Sequence, residues 1–294
     1  MKYASYIILE AKSQQRVMDT RFWGPSGWCL LHLIAANPHQ PNKKTVKAWF
    51  DLLEFILPCK YCRASFHDYT QLQPLTLEIV GNRDAFSRWL FDIHNRVNGK
   101  LRGQGLLTKP DPSWPSVREK YYRLQRSLCK ASPFIGWDFM TSIAFSTPGA
   151  DYITVPMSDA PEHETDRSSL PLNRRNRYNL LTRQERLTAL RQWWKLIPSI
   201  LPCAAWRSAW VGASVGPIPL TDGREAVMNW IWRIEESVCA GLKCPTPHPS
   251  LPALKAEVAA FESGCSKNRR GRTCRTRKHR QRRLFLRRRR TIRV

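Results

Sequence analysis

The chain has 294 residues, of which 42% are hydrophobic, and a formal net charge of +25. This size provides for one or two domains with hydrophobic cores. No apolar run reaches the roughly 20 residues of a membrane-spanning helix, and residues 1–19, an N-terminal extension, lack a signal-peptide core. We therefore expect a chain without a membrane anchor, made in the reducing cytoplasm. Nine cysteines are too few for a disulfide scaffold of this length, which favours catalytic or metal-binding cysteines.

The positive charge is concentrated near the C-terminus. Residues 267–294 contain 15 Lys and Arg side chains and no Asp or Glu. This composition predicts a disordered basic tail over residues 263–294. Three interpretations of the tail stay open: a contact with nucleic acid or another polyanion, a nuclear address, or a solvated end without a ligand.

Residues 20–128 are predicted to form a first, helical domain. The four predicted helices start near residues 24, 42, 59 and 83. Pro58 ends the second helix directly before Cys59-Lys60-Tyr61-Cys62. Apolar residues recur at spacings of three and four, and no alternating strand pattern is present, so the predicted fold class is all-α. Residues 103–128 are rich in Gly, Pro and charge and are predicted to be a connection.

A second block, residues 129–262, repeats three segments of the first block in the same order. The pairs are Gly27-Trp28 with Gly136-Trp137, Leu57-Pro58-Cys59 with Leu201-Pro202-Cys203, and Arg83-Asp84-Ala85 with Arg224-Glu225-Ala226. The copy keeps the apolar framework, but Trp206 stands in the place of Cys62. We therefore expect a degenerate helical copy that lacks the chemistry of the first block. Within it, residues 146–178 are rich in Pro, Ser, Asp and Arg and predict a partly disordered surface loop.

Cys59-Lys60-Tyr61-Cys62 is the first candidate for chemistry. Two cysteines at this spacing can close a disulfide across one helical turn, and a helix N-terminus with Lys60 and Arg63 nearby stabilises a thiolate. The alternative is half of a zinc site, which needs four ligands, and the sequence offers no second CxxC and no His pair at short spacing. The pattern favours a redox pair, and no metal ligands are predicted.

The last helix of the first block carries the second candidate, His94-Asn95-Arg96-Val97-Asn98. His94 and Asn98 are one turn apart and share a face beside a stripe of Trp, Phe and Leu. Polar groups next to a core need hydrogen-bond partners, which a bound nucleotide would supply. The alternative is a solvated helix end before Gly99. His32, one turn after Trp28, is either part of the same site or an ordinary core or surface histidine.

Together these motifs resemble the Erv/Alr family of FAD-linked sulfhydryl oxidases. The matching segments are Trp23-Gly24-x-x-Gly27-Trp28-x-x-Leu31-His32, Leu57-Pro58-Cys59-Lys60-Tyr61-Cys62 and Trp89-Leu90-x-x-x-His94-Asn95-x-Val97-Asn98-x-Lys100-Leu101. Order and spacing both fit over residues 20–102. The second block resembles the degenerate module of quiescin-type sulfhydryl oxidases, although no thioredoxin-like domain is visible.

The resemblance implies a four-helix bundle that holds FAD beside the CxxC motif. Cys59 and Cys62 would form the active disulfide, with Cys59 attacked by incoming thiols and Cys62 nearest the flavin. The residues implied to line the FAD site are Trp23, Trp28, His32, Tyr61, His94, Asn95, Val97, Asn98 and Lys100. Trp114 is the counterpart of an aromatic residue that the family carries after this helix.

The implied activity passes electrons from protein thiols through the active disulfide to FAD and then to molecular oxygen, which leaves as hydrogen peroxide. Erv modules pair, so we expect the degenerate copy to pack on the first block as a pseudo-dimer within one chain, with a homodimer as the alternative. Cys239 with Cys244, or Cys265 with Cys274, are either shuttle pairs or free thiols. Similarity to the sulfhydryl oxidases of large DNA viruses implies action in the host cytoplasm or the virion.

Two other classes of function fit parts of the sequence. A nucleic-acid-binding protein would use the basic tail and would hold the CxxC motif as half of an intermolecular metal site. A non-catalytic scaffold would have lost the chemistry in both blocks. The motifs that the copy lacks are all present in the first block, and this favours the oxidase over the scaffold.

Overall fold

The computed structural model describes residues 17–38, 42–128, 133–213, 215–263, 266–268 and 271–273. The predicted all-α class is confirmed, since helices form the body of this part of the chain and its strands are two short antiparallel pairs. The helices of the first block are α1 (Thr20–Ala35), α2 (Lys43–Asp51), α3 (Leu53–Ile56), α4 (Lys60–Leu72), α5 (Leu77–Gly81), α6 (Arg83–Gly103) and α7 (Trp114–Leu128).

Side-chain caps explain where the main helices begin. The capping bonds run from Arg21 N to Asp19 Oδ1 (2.9 Å), from Thr45 N to Asn42 Oδ1 (3.1 Å) and from Ala85 N to Asn82 Oδ1 (3.0 Å). Each bond satisfies a backbone N–H group that has no partner within the helix, and such a cap is worth about 1 kcal/mol. α1 therefore begins before the predicted start at residue 24, while α2 and α6 begin where they were predicted.

The second block follows the same order of long helices. Its helices are α8 (Trp137–Phe145), α9 (Glu164–Ser169), α10 (Leu172–Arg177), α11 (Arg183–Ile200), α12 (Ala204–Gly212), α13 (Arg224–Gly241) and α14 (Leu251–Ala260). In chain order, α8, α11, α12 and α13 correspond to α1, α2 with α3, α4 and α6. Side chains of both blocks form one continuous hydrophobic core.

Corresponding helices of the two blocks pack on each other, α1 against α8 and α2 with α3 against α11. A β-carbon at Gly27 would lie 3.1 Å from the Phe139 ring, and one at Gly136 would lie 3.0 Å from the Leu30 side chain. Glycine at both positions therefore permits the close approach of α1 and α8. Leu30 and Phe139 each stand three positions after their own glycine, so the contact is reciprocal, as at an isologous interface.

Two stretches that were predicted to be irregular contain helices. Residues 103–128 contain α7, which has Pro115 in its first turn, where proline is tolerated. Residues 146–178 contain α9 and α10, and α10 packs on α3 and α4. Asn176 is 1% exposed and donates a 2.7 Å hydrogen bond to the carbonyl of Glu54. The prediction of a partly disordered loop was wrong because polar side chains of this stretch bind distant backbone groups, which composition cannot reveal.

The N-terminal strand meets the end of the second block. β1 (Val17–Met18) pairs antiparallel with β2 (Glu262–Ser263), and Phe22 stacks on Phe261 with ring centroids 4.6 Å apart. This pairing adds a further contact between the two blocks. No helix in the described part of the chain is both long and apolar enough to cross a membrane.

The described part of the basic tail is a short hairpin. β3 (Ser266–Asn268) pairs antiparallel with β4 (Gly271–Thr273). Here the prediction of a tail without structure was wrong. Residues 274–294, and the predicted cysteine pair of Cys265 with Cys274, lie outside the described residues.

Candidate active site

The CxxC motif forms the start of α4. Cys59 is the N-cap residue, with an extended backbone (φ −132°, ψ 126°), and the N–H groups of Cys62 and Arg63 each donate a 3.0 Å hydrogen bond to its carbonyl. Both cysteines therefore lie at a helix N-terminus, where partial positive charge favours a thiolate. Cys59 is 1% exposed, whereas Cys62 is half-buried.

Arg63 fixes the chain at this helix start. Its Nη1 donates a 2.8 Å hydrogen bond to the Leu57 carbonyl, and its Nη2 donates a 2.7 Å hydrogen bond to Asn179 Oδ1. Arg186 of α11 lies nearby, and burial together with the charge of Arg63 lowers the pKa of Arg186 to about 9. Two buried guanidinium groups thus hold the chain on either side of this helix start, since Arg186 Nη2 donates a 3.3 Å hydrogen bond to the Phe55 carbonyl.

Residues 151–159 of the second block, the cover segment, lie over Cys59. Met157 is 6% exposed and packs in one apolar cluster with Cys59, Tyr61 and Ala64. Lys60 Nζ donates a 3.4 Å hydrogen bond to the carbonyl of Val155. Met157 therefore covers one side of Cys59, and the cavity lies on another.

Asn179 and Arg177 anchor the cover segment. Asn179 Nδ2 donates a 2.8 Å hydrogen bond to the Val155 carbonyl. Its backbone is left-handed (φ 57°), a conformation that Asn tolerates better than most residues. Arg177 forms ion pairs with Asp68 of α4 at 3.1 Å and with Asp159 at 2.5 Å. Polar contacts thus tie the cover segment to α4 on both sides of Met157.

A cavity of about 520 Å³ opens beside the motif, between α1, α4, α6 and α7. The predicted site residues in its lining are Trp23, Trp28, Cys59, Tyr61, Cys62, His94, Val97, Asn98 and Lys100. His32 and Asn95 are outside the lining. His32 is buried behind His94, and Asn95 is half-buried next to it on α6.

An aromatic wall runs along this cavity. The His94 ring stacks on Trp28 with centroids 3.9 Å apart, and the His32 ring stacks on Tyr121 with centroids 4.4 Å apart. His32 Nε2 lies 3.2 Å from His94 Nδ1, so one ring donates to the other. Burial, aided by the neighbouring His94 and the charge of Lys120, lowers the pKa of His32 to about 3. Burial also lowers the pKa of His94 to about 4, against the opposing charge of Asp111. Both imidazoles are therefore neutral near pH 7.

The sequence did not predict that α7 and α8 also contribute to the lining. Lys120 and Tyr121 of α7 and Phe139 of α8 line the cavity. Trp114, the aromatic residue that the sequence offered as a counterpart, packs on Phe91 with ring centroids 5.4 Å apart and is not part of the lining. Tyr121, two helical turns after Trp114 on α7, lies against α1 instead, where it stacks on His32. An apolar residue at every third or fourth position of this stretch is the signal that would have revealed α7.

The polar part of the lining is basic. The basic side chains are Arg21, Lys100 and Lys120, and no Asp or Glu is found among the described residues of the lining. Lys100 Nζ donates a 2.5 Å hydrogen bond to Ser65 Oγ, and Asn98 Nδ2 donates one of 2.7 Å to Asp111 outside the lining. A cysteine pair beside a cavity with aromatic walls and basic groups suits a planar, anionic redox cofactor. Within the described residues, no group of three or more His, Cys, Asp or Glu could hold a metal ion.

Comparison with known proteins gives an independent result. Residues 25–118 match the Erv1 / Alr family. A relative named probable FAD-linked sulfhydryl oxidase R368, of Acanthamoeba polyphaga mimivirus, is 34% identical over 98 residues, which are 32% of this chain and 68% of the relative. The FAD-linked sulfhydryl oxidase of African swine fever virus (isolate Pig/Kenya/KEN-50/1950) is 33% identical over 124 residues, 40% of this chain and 92% of the relative.

A cellular relative is also similar. The mitochondrial FAD-linked sulfhydryl oxidase ERV1 of Saccharomyces cerevisiae is 35% identical over 88 residues, which are 29% of this chain and 45% of the relative. All three matches cover well under half of the chain, and residues beyond 118 lie outside the family match. No solved structure matches the chain.

Proposed function

The chain belongs to the Erv1/Alr family and is an FAD-linked sulfhydryl oxidase, and on this basis we propose that Cys59 and Cys62 are its redox-active pair. The observation that carries the proposal is the position of the pair at the N-terminus of α4, in the wall of the cavity. The substrates of such an oxidoreductase are protein thiols and oxygen.

The cavity fits FAD in its shape and charge. The aromatic wall of Trp28 and His94 offers a flat apolar surface for a ring system. Lys100 and Lys120 bring positive charge to a lining without carboxylates among its described residues, as the pyrophosphate of FAD requires. We infer that these residues, with Trp23, Tyr61, Val97 and Asn98, hold the cofactor, while His32 and Asn95 support it from outside the lining.

The proposed reaction begins with a substrate thiolate that attacks the sulfur of Cys59 and breaks the Cys59–Cys62 bond, so that Cys62 leaves as a thiolate. A second substrate thiolate attacks the mixed disulfide and releases Cys59, and the substrate leaves as a disulfide. The N-terminus of α4 stabilises the released thiolates. When bound, FAD supplies the two-electron chemistry that restores the disulfide and delivers the electrons to oxygen as hydrogen peroxide.

The two cysteines have different surroundings, and this supports a division of roles. Both cysteines line the cavity. Cys59 is in addition buried in the apolar cluster with Met157 and is assigned to the substrate side, whereas the less buried Cys62 is assigned to the cofactor side. Because Cys59 is 1% exposed, we expect a protein thiol that approaches from the side of Met157 to reach it when the cover segment moves.

We further propose that residues 129–262 are a degenerate Erv-like domain, beside an oxidase domain at 20–128. Equivalent hydrogen bonds support this assignment. Arg63 Nη1 donates to Leu57 O at 2.8 Å, and Arg207 Nη1 donates to Leu201 O at 2.7 Å in the second block. In the same way, Trp89 Nε1 donates to Gln73 O at 2.8 Å, and Trp230 Nε1 donates to Gly216 O at 3.0 Å. The copy has no redox pair, because Trp206 stands in the place of Cys62 and is fully buried against Phe134.

The contact between the two domains supports an intramolecular pseudo-dimer, with a homodimer of whole chains as the alternative. The viral relatives support action in the host cytoplasm or the virion. A nuclear site, or a contact with nucleic acid, would depend on the basic tail, most of which lies outside the described residues.

The test is the visible spectrum and the oxygen uptake of the purified chain. We expect flavin bands near about 370 and 450 nm and oxygen uptake when a dithiol or a reduced protein is added. Cys59→Ser and Cys62→Ser should abolish the uptake. Cys203→Ser changes the corresponding N-cap position of the copy and is the matched control, with uptake retained. A protein that stays colourless after FAD is supplied, or uptake that survives Cys59→Ser, would overturn the proposal.

A further inference from the structure

The C-terminal end of α13 brings Cys239 and Cys244 together. The N–H of Cys244 donates a 3.0 Å hydrogen bond to the Cys239 carbonyl, and that of Lys243 donates one of 3.1 Å to the Ala240 carbonyl. Lys243 has a left-handed backbone with φ 54°. These two bonds define a Schellman motif at the end of the helix, whose C-cap residue is Leu242. In this motif the side chain three positions before the C-cap contacts the side chain two positions after it. Here Cys239 and Cys244 occupy the two contacting positions.

The first block contains the ordinary form of the same motif at the end of α6. Leu106 N donates a 2.9 Å hydrogen bond to Leu101 O, Gly105 N donates a 2.8 Å hydrogen bond to Arg102 O, and Gly105 has φ 66°. The contacting positions therefore carry two leucines, and glycine occupies the left-handed position. The second block has cysteines instead of the leucines, and a lysine at the left-handed position, where a side chain costs about 1 kcal/mol.

Both cysteines are free thiols in this structure, and the motif brings their side chains side by side. Burial, followed by the neighbouring Cys244, raises the pKa of Cys239 to about 12. Cys239 is 1% exposed and lies in the core, whereas Cys244 is half-buried at its edge. A buried sulfur with a raised pKa is a poor attacking group, which argues against a shuttle between outside thiols and the active pair.

We propose that Cys239 and Cys244 form an intrachain disulfide that closes the end of α13 and stabilises the second block. The chemistry rests on the proposed function, because the chain needs an oxidant for this bond. Two thiols lose two protons and two electrons as the Cys239–Cys244 bond forms. The electrons reduce the Cys59–Cys62 disulfide of a second copy of the chain to two thiols, and its oxidase cycle passes them to oxygen. The exchange takes place before Cys239 is buried, while the end of α13 is still open.

The direct test is peptide mapping of the full chain, made in a reducing cytoplasm and alkylated at lysis. Trypsin cuts after Arg233, Lys243 and Lys255, so the disulfide joins peptides 234–243 and 244–255. We expect this linked pair from the unsubstituted chain and two alkylated peptides from Cys59→Ser. Free Cys239 and Cys244 in the unsubstituted chain would overturn the disulfide. The linked pair in Cys59→Ser would overturn the oxidase as its source.

Thermal unfolding provides a second readout. A disulfide across so short a loop raises the melting temperature by about 5 °C in a chain of this size. The double substitution Cys239→Leu with Cys244→Leu copies the pair at the end of α6 and is the matched control for packing. Reductant should lower the melting temperature of the unsubstituted chain by about 5 °C more than that of the control. Equal shifts in both proteins would contradict the proposal.

Failure of this inference is distinguishable from failure of the proposed function. If the chain takes up oxygen while Cys239 and Cys244 are both alkylated, the proposed oxidase activity stands and the proposed disulfide is wrong. If the peptides are linked in a protein that has no flavin and takes up no oxygen, the disulfide stands and the proposed oxidant is wrong.

Discussion

Trp49 and Trp193 stack on each other with ring centroids 5.0 Å apart and an interplanar angle of 22°. Trp49 stands ten positions before Cys59, and Trp193 stands ten positions before Cys203, so the two rings occupy the same place in the two blocks. A residue contacts its own counterpart only near a two-fold axis. Phe139, which packs on Gly27, also contacts Trp193 with ring centroids 6.0 Å apart, so the reciprocal contacts of Gly27 and Gly136 lie beside this pair.

The stack predicts that each tryptophan contributes to the stability of both blocks. Both rings are completely buried, so Trp49→Ala and Trp193→Ala should each cost about 3–5 kcal/mol. The double substitution should cost less than the sum, by about 1 kcal/mol, because either change alone removes the stack. Urea unfolding followed by circular dichroism measures these free energies. Val211→Ala, at a position that is 67% exposed, is the control and should stay within about 0.5 kcal/mol.

Separate unfolding of the two blocks would contradict this view. The continuous core predicts one transition for both. Two resolved transitions, or strictly additive costs of the two substitutions, would show that the blocks are energetically independent.

The helices were predictable because their signals are local. The side chains of Asn42 and Asn82 begin helices through hydrogen bonds to residues three positions later. Pro58 ends a helix because it has no N–H group, and the spacing of apolar residues marks the buried faces. The way in which the blocks meet was not predictable. Gly27 and Gly136 lie within the repeated segments, but nothing in a sequence distinguishes a glycine needed for close helix packing from one that merely begins a helix.

The candidate site divides in the same way. His94, Asn98 and the cysteines belong to local motifs and could be found by spacing. The cover segment could not, because the hydrogen bond that holds it passes from Arg63 to Asn179, 116 positions along the chain. A composition rich in Pro, Ser and Arg correctly predicts that such a segment has no regular secondary structure. It does not reveal that hydrogen bonds and ion pairs with distant residues hold the segment in one position.

Met157 should limit the access of thiols to Cys59. Replacing it by Ala removes apolar surface that is worth roughly 2 kcal/mol, and this lowers the cost of local opening. We expect the alkylation rate of reduced Cys59 to rise about thirtyfold, since about 1.4 kcal/mol corresponds to a factor of ten and roughly 2 kcal/mol to a factor of about thirty. Mass spectrometry after timed exposure to iodoacetamide measures that rate. Ile153→Ala changes a residue of the same segment that is 51% exposed, and it should leave the rate within about twofold. Equal rates in both variants would mean that Met157 does not close the site.

Lys120 should contribute to FAD affinity. It lines the cavity next to Tyr121, and its charge would face the phosphates of the cofactor. Lys120→Gln removes that charge and should weaken FAD binding about tenfold, the usual effect of losing one charge-assisted hydrogen bond. Flavin fluorescence on release, titrated against the apoprotein, measures the dissociation constant. Lys109→Gln, an exposed lysine outside the lining, is the control. An unchanged constant in Lys120→Gln would place the phosphates elsewhere.

His248 should make the stability of the second block depend on pH. It is 1% exposed, and its Nδ1 and Nε2 lie 2.8 Å from Glu235 and 3.0 Å from Glu257, on α13 and α14. Burial lowers its pKa, but the two carboxylates outweigh burial and raise the pKa to about 9. Because this lies above the unfolded value of about 6.5, the contribution, on the order of 3 kcal/mol, is complete below pH 6.5 and is lost as the pH rises to about 9. The melting temperature should fall across that window in the unsubstituted chain and in the exposed control His163→Gln, but stay flat in His248→Gln. A parallel fall in all three proteins would assign the pH dependence to other groups.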